Sequence, residues 1–308
     1  MRYYSDITEF PKIDNAIVAV GNFDGVHLGH KAVIEKMKQI KEKNGGNIVI
    51  VTFHPHPRSV LSDKNVKFIH SQSRKAHLLA KLGVDYLMDI NFTKEFSKLS
   101  AYQFIENYLV KYINAKNIVV GYDCHFGPDH NKTMEALNEL KKKYHYEITN
   151  IPPVYCDGKI VSSTQIRNAL ERGDIKEANL MLGYEYSVYG RVVYGQQIGR
   201  TIGFPTANVF IENDLKLIAA NGVYACKIKI NNENFFGMCN IGYRPTVHGK
   251  DLTIEANIFN FDRDIYDEYI GVYFVDRIRD EIAFKDLAML KEQLNKDVLT
   301  AKEILGDG

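Results

Sequence analysis

The chain has 308 residues, 45% of them hydrophobic and 25% charged, a composition of ordered globular proteins that excludes disorder, a collagen helix and a disulfide scaffold. Its length sets an expectation of two domains. With 39 basic and 38 acidic residues the formal net charge is +1, which argues against a strongly basic nucleic-acid binder. No stretch approaches the ~20 apolar residues of a membrane span, and the opening MRYYSDITEF has no apolar signal core. Cys124, Cys156, Cys226 and Cys239 form no CxxC pair. That pattern argues for reduced thiols and a cytoplasmic protein.

The first half alternates strand and helix. Ile17–Val20 is an apolar run ending at Gly21, and Val33, Met37 and Ile40 mark a helix after it. Asn44-Gly45-Gly46 stops that helix, and Asn47–Thr52 is predicted as a buried strand. Then follow a helix over Arg74–Leu82, a strand over Tyr86–Ile90, a helix over Phe104–Ile113 and a strand over Ile118–Gly121. Met134, Leu137, Leu140 and Tyr144 mark another helix, and Tyr146–Ile151 another strand, stopped by Pro152-Pro153. Repeated strand–helix units predict an α/β domain with a parallel sheet covered on both faces.

Helices over Gln165–Glu171 and Ile175–Leu182 end at Gly173 and Gly183, and the pattern then changes. Gly222–Ile230 alternates, with Tyr224, Cys226, Ile228 and Ile230 on one face and Lys227 and Lys229 on the other. Phe235–Ile241 is the predicted returning strand. Leu252–Phe259 alternates again, with Leu252, Ile254, Ala256 and Ile258 inward. Ile270–Val275 is a further strand, and Leu287, Leu290, Leu294 and Val298 mark a final helix. Short strands with few helices predict a small antiparallel barrel. The boundary is placed at Gly183, giving domains 1–183 and 184–308.

Two segments in the first domain carry chemistry. Gly21-Asn22-Phe23-Asp24-Gly25-Val26-His27-Leu28-Gly29-His30 spans the turn from the first strand into the first helix, where open α/β sheets bind ligands. Free N–H groups at a helix start favour phosphate. Glycines at 21, 25 and 29 let a nucleotide approach the backbone. His27 and His30 share a face of the first turn and could stabilise charge on a phosphoryl group. The spacing is neither GxGxxG nor GxxxxGK[ST]. An incidental surface pair, or a zinc half-site completed from His54, His56, His125 and His130, is the alternative reading. Downstream, Ser162-Ser163-Thr164-Gln165-Ile166-Arg167 offers hydroxyls and a guanidinium at a helix start, for phosphate or for a plain cap.

Taken together, GNFDGVHLGH, TFHPHP (Thr52–Pro57) and SSTQIR resemble the HxGH nucleotidyltransferases. More narrowly, they resemble the adenylyltransferase half of the bacterial bifunctional riboflavin kinase/FAD synthetases. The resemblance implies a Rossmann-like fold. It places Gly21, Phe23, Asp24, Gly25 and Asp123 with ATP or the reacting phosphates. His27 and His30 would stabilise the transition state, and Ser163, Thr164 and Arg167 would bind the outgoing pyrophosphate. Phe53, His56 and Pro57 would help wall the flavin or nucleotide. The chain departs from the usual pattern at His54, at Cys124 and His125, and at His130-Asn131-Lys132, where Lys132 offers a point charge instead of a fork.

In the second domain, Gly199-Arg200-Thr201-Ile202-Gly203-Phe204-Pro205-Thr206-Ala207-Asn208 is a glycine-bounded loop feeding a strand. Thr206 and Asn208 fall on one strand face and offer hard oxygen ligands suited to Mg²⁺. Glu255 sits opposite the apolar face of its strand, either as a general base or as a solvated glutamate. GRTIGFPTAN, NGVYA, NIGYRPT, IEANIFNFDRDIY and DRIRDEIAF resemble, in order, the riboflavin kinase module, whose fold is a six-stranded Greek-key barrel with a C-terminal helix. The resemblance implies Thr206 and Asn208 as Mg-ATP ligands and Glu255 as base toward the riboflavin 5′-hydroxyl. It makes Gly195, Gly199, Arg200 and Gly203 a phosphate loop and places Arg279 near the flavin.

The function so implied is ATP-dependent phosphorylation of riboflavin to FMN and adenylylation of FMN to FAD. The alternative is the same family with one working site, a riboflavin kinase with weak or reduced-flavin-dependent FAD synthesis. The partners implied are small molecules (riboflavin, FMN, FAD and ATP), with no nucleic acid or membrane, in a monomer or weak homo-oligomer.

Overall fold

In the computed structural model, which describes residues 1–61, 66–128, 132–246 and 249–306, the chain forms two compact units that divide between Ser163 and Thr164. The first unit holds β1 (Arg2–Tyr4), β2 (Ala16–Val20), α1 (Leu28–Asn44), β3 (Asn47–His54), α2 (Pro57–Leu61), α3 (Gln72–Lys81), β4 (Tyr86–Asn91) and α4 (Ala101–Phe104). It continues with β5 (Ala115–Gly121), α5 (Thr133–Tyr144), β6 (Glu147–Ile151) and a small hairpin of β7 (Tyr155–Cys156) and β8 (Lys159–Ile160). The helix expected over Phe104–Ile113 is there, but α4 widens into π geometry over Ile105–Tyr112.

Six strands form one parallel sheet in the order β1-β4-β3-β2-β5-β6. The alternation in each strand explains why its sequence reads as a continuous apolar run. Ala16, Val18 and Val20 of β2 join one core with Phe104, Ile105, Leu109 and Leu137. Ile17 and Ala19 enter the other core with Val33, Ile34, Met37 and Leu79. A sheet buried on both faces needs apolar residues at every position. The chain runs outward from β2 through β3 to β4, then crosses back to β5 on the other side. The carboxyl ends of β2 and β5 therefore flank the topological switch point, where such sheets bind ligands.

The second unit opens with α6, whose first residue Ser163 closes the first unit, and α7 (Ile175–Leu182); α6 runs Ser163–Arg172. The expected stops hold them. Gly173 and Gly183 take positive φ of 78° and 68°, the left-handed conformation that ends a helix at glycine. Asn179 of α7 donates to Phe274 O at 2.8 Å and accepts from Tyr186 N at 2.6 Å. Those bonds help explain why α7 counts with the later strands.

Beyond lie β9 (Ser187–Val193), α8 (Ile198–Thr201), β10 (Ala207–Phe210), β11 (Gly222–Ile230), β12 (Glu233–Thr246), β13 (Gly249–Ile258), β14 (Tyr269–Arg279) and α9 (Leu287–Leu305). The strands close a barrel in the order β10-β13-β12-β11-β14-β9, every pair antiparallel. β11, β12 and β13 are consecutive neighbours, and β14 returns beside β11, which is the Greek-key path. Val223, Ala225 and Met238 on the barrel wall pack with Ala301, Leu294 and Val298 of α9. Leu252, expected inward, is 40% exposed. β11 pairs with β12 only up to Ile241, so the β12–β13 hairpin continues as a two-stranded ribbon there and Leu252 has no core to enter.

Candidate functional sites

The Gly21–His30 turn leaves the end of β2 and enters α1. Phe23, Gly25 and Val26 all have positive φ, at 49°, 83° and 39°. Glycine tolerates this, but for Phe23 and the β-branched Val26 it stores roughly 1–3 kcal/mol each, a cost that concentrates at working sites. His27 caps α1, and its ring stacks on that of His30 with centroids 3.7 Å apart and planes at 20°. Phe23 also lies against His30, with centroids 4.7 Å apart. Gly29 leaves room for this stack, because a Cβ there would meet His27 Cε1 at 3.1 Å. Nδ1 of His30 is enclosed, with no hydrogen-bond partner among the described residues. Burial, then the neighbouring His27, then Lys75 hold His30 well below the usual histidine pKa. Both rings sit at a helix N-terminus, whose N–H groups and dipole favour an anion.

Asp24, expected with the nucleotide, is 5% exposed. Its carboxylate accepts from Ile69 N at 3.0 Å and His70 N at 3.3 Å. An anion engaged by two amides anchors the turn; presented to phosphate it would repel it. Ser163 donates to the Asp24 carbonyl at 2.8 Å, so its hydroxyl also fixes the turn. Thr164, exposed, and Arg167, half-buried, stand on the following residues of α6 in the second unit. Asp123 is exposed just past the end of β5, on the other side of the switch point.

The expected wall residues divide. Phe53 lies in an aromatic cluster with Phe92, Phe96 and Phe104, at 5.5, 5.9 and 6.1 Å. His56 is buried, and its Nδ1 accepts from Arg58 N at 3.1 Å, shaping the turn that Pro57 opens. Cys124 Sγ reaches the Val20 carbonyl at 3.7 Å, and burial pushes its thiol up to about 12. His130 and Asn131 lie outside the described residues. Among the described residues no group of three His, Cys, Asp or Glu side chains could hold a metal ion.

Sequence reasoning missed Lys75. It faces the core of α3 one turn before buried Leu79 and is 7% exposed. Its only signal was that i, i+4 relation, which a solvent lysine shares.

In the barrel unit a cavity of about 310 Å³ is lined by Gly199, Thr206, Asn208, Asn240, Glu255 and Arg279, among others. The register explains the cluster. Asn208 on β10 pairs with Glu255 on β13, Glu255 with Asn240 on β12, Asn240 with Val223 on β11, and Val223 with Arg279 on β14. One row across the wall thus carries three of the expected residues, Asn208, Glu255 and Arg279. Gly195 admits the Asn208 amide, since a Cβ there would fall 2.2 Å from Nδ2. Gly199 is equally obligatory, its Cβ position lying 2.2 Å from the Phe204 carbonyl, and Gly203 turns at φ 87°. Arg200, next to Gly199 in α8, is exposed. Asn257, unassigned from sequence, donates to Pro205 O at 2.7 Å and fixes the approach to Thr206.

Arg279, expected at the flavin, borders the cavity but spends its guanidinium elsewhere. Nε and Nη2 donate to Asp297 of α9 at 2.9 and 2.7 Å, and Nη1 donates to Asp280 O at 2.9 Å. Asp297 is 1% exposed and also accepts from Gln293 at 2.9 Å. This pair pins the C-terminal helix to the wall; its counterpart was invisible in sequence.

A strand–helix histidine turn at the switch point of a parallel sheet, followed by a Greek-key barrel with an Asn–Glu cavity, defines a two-module nucleotide-dependent transferase. Residues 10–165 match the family model for FAD synthetase, and residues 182–305 match that for riboflavin kinase. A bifunctional riboflavin kinase/FMN adenylyltransferase of Listeria monocytogenes is 41% identical, covering 92% of this chain and 90% of its own. Its Escherichia coli K12 counterpart is 33% identical over 99% and 97%. A solved Streptococcus pneumoniae structure, described as a macrolide-efflux protein, matches with a TM-score of 0.90 at 34% identity, over 97% of this chain and 98% of its own. Among the described residues no helix is long and apolar enough to cross a membrane. The chain belongs to the bifunctional riboflavin kinase/FMN adenylyltransferase family, with a FAD synthetase module followed by a riboflavin kinase module.

Proposed function

We propose that the two modules work in sequence on one flavin, the barrel making FMN from riboflavin and the α/β unit making FAD from FMN, each with its own ATP. The observation that carries the first assignment is the row Asn208–Glu255–Asn240 along the barrel cavity. Glu255 accepts the proton of the riboflavin 5′-hydroxyl as that oxygen bonds to the γ-phosphorus and the bond to the ADP oxygen breaks. Thr206 and Asn208 would hold Mg²⁺; hydroxyl and amide oxygens are hard ligands, and both border the cavity. Bound there, the ion would neutralise phosphate charge. Gly195, Gly199, Arg200 and Gly203 form the loop over the triphosphate.

In the α/β unit an oxygen of the FMN phosphate attacks the α-phosphorus, and pyrophosphate leaves. The nucleophile is already ionised, so the site needs positioning and charge stabilisation, not a strong base. The stacked His27 and His30 supply these at the helix N-terminus. Thr164 and Arg167 are assigned to the pyrophosphate, Asp123 to the reacting phosphates and Phe53 to the flavin wall. We set the functional boundary at Gly183, giving modules 1–183 and 184–308. The reading includes a cytoplasmic monomer or weak homo-oligomer that binds no nucleic acid.

Incubation of the purified chain with ATP, Mg²⁺ and either riboflavin or FMN, oxidised or reduced, tests this by product chromatography. FAD from both flavins is the expected result. The departures at His54, Cys124 and His125 favour a second reading, slow or reduced-flavin-dependent FAD synthesis. FMN accumulating from riboflavin, with FAD only from reduced flavin, would select it.

A further inference from the structure

Lysine is seldom buried, because stripping water from an ammonium is costly unless acceptors replace it. Lys75 has such acceptors. Its Nζ donates to Thr52 Oγ1 at 2.9 Å and to the Asn22 carbonyl at 3.2 Å. Thr52, 0% exposed on β3, donates to the same carbonyl at 3.3 Å. Asp24 and Asp89 supply opposing charge nearby. Asn22 directly precedes the three positive-φ residues of the histidine turn. A strained turn persists only where its surroundings over-determine it. Here one short segment grips it twice, through the Ile69 and His70 amides on Asp24 and through Lys75 on Asn22.

We propose that Lys75 is a positioning residue for adenylyl transfer, its ammonium tying the Asn22 carbonyl, and with it the turn that sets His27 and His30, to Thr52 of β3. The proposal rests on the reading of that turn as the adenylyl-transfer site. Lys75 touches no reacting atom; it acts by holding the Asn22 peptide in the orientation from which the chain enters the Phe23–Val26 turn. Without the ammonium only the longer Thr52 bond holds that peptide on this side, the turn relaxes, and the histidine pair shifts from the place where transition-state charge develops.

The test measures FMN-to-FAD turnover of the full chain, with riboflavin-to-FMN turnover as the internal control. Lys75→Met is expected to lower kcat for FAD formation 10- to 100-fold, with KM for ATP changed less than threefold and kinase turnover unchanged. Thr52→Val is expected to act in the same direction by a smaller factor. The double variant should be slower than Lys75→Met but by less than the product of the two single losses, because Thr52 and Lys75 bond each other and share the Asn22 carbonyl. A kcat within twofold of the parent, an effect confined to KM, or multiplicative losses in the double variant would overturn the proposal. If Lys75→Met loses the thermal transition of the first unit, Thr52→Val alone decides, and a kcat within twofold again overturns it. His27→Asn and His30→Asn in the same assay separate the underlying reading; undiminished FAD formation in both would sink the site itself.

Discussion

The side-chain amide of Asn208 occupies the space that a methyl group on Gly195 would need, with Nδ2 only 2.2 Å from the Cβ position. The glycine thus sets how deeply the amide can sit beside Glu255. Gly195→Ala should swing Asn208 out of the row and raise KM for ATP in riboflavin phosphorylation about tenfold, since each ~1.4 kcal/mol of lost binding is tenfold. FMN-to-FAD turnover should not change. Steady-state kinetics of both half-reactions on one preparation provide the check.

Glu255→Gln keeps the shape of the row but removes the proton acceptor. We expect kcat for FMN formation to fall about 10²–10⁴-fold, the usual contribution of a positioned base, with FAD formation from supplied FMN intact. An unchanged kcat would return Glu255 to the role of a wall residue.

Arg279 and Asp297 should be unequal partners in stability. Removing the arginine strands a carboxylate that is 1% exposed; removing the aspartate leaves a guanidinium whose side chain is 16% exposed and can find water. Arg279→Met should therefore cost the barrel unit about 3–5 kcal/mol, the usual penalty for breaking a buried pair. Asp297→Leu should cost clearly less. Urea unfolding followed by circular dichroism gives both values.

His30 couples stability of the first unit to pH. In the folded chain burial, His27 and Lys75 keep its pKa below the ordinary 6.5, so the folded imidazole stays neutral while the unfolded one takes a proton below that value. More protons bound by the unfolded state means stability falls as pH drops beneath about 6.5, by at most about 1.4 kcal/mol per pH unit from this group. Thermal unfolding between pH 7.5 and 5.5 should show that slope, and His30→Phe should flatten it.

Much of the fold could be read because its signals were local. Ala16–Val20 is apolar at each position since both faces of β2 are covered, and Gly173 and Gly183 stop helices at left-handed caps. β1 stayed hidden; Arg2–Tyr4 is polar and short, and its partner Tyr86–Met88 lies far along the chain. The residue types of both sites were legible in the same way, as GNFDGVHLGH and PTAN. What the side chains touch was not. Asp24 and Arg279 stand out as candidate ligands in a string of letters, but the Ile69 amide and the Asp297 carboxylate that engage them come from distant segments. Lys75 failed for the converse reason, because one lysine on an amphipathic helix reads as solvent-facing.

The barrel has one weak seam. β10 is only four residues long and joins β13 through two register pairs, one of them Asn208 with Glu255. The strand proposed to present a nucleotide ligand is thus also the stave whose loss would spring the barrel open. Amide hydrogens along it should exchange through local opening faster than those of β11 and β12. ATP with Mg²⁺ should slow that exchange, so that substrate acts as a clasp and the empty kinase is the form most exposed to proteases.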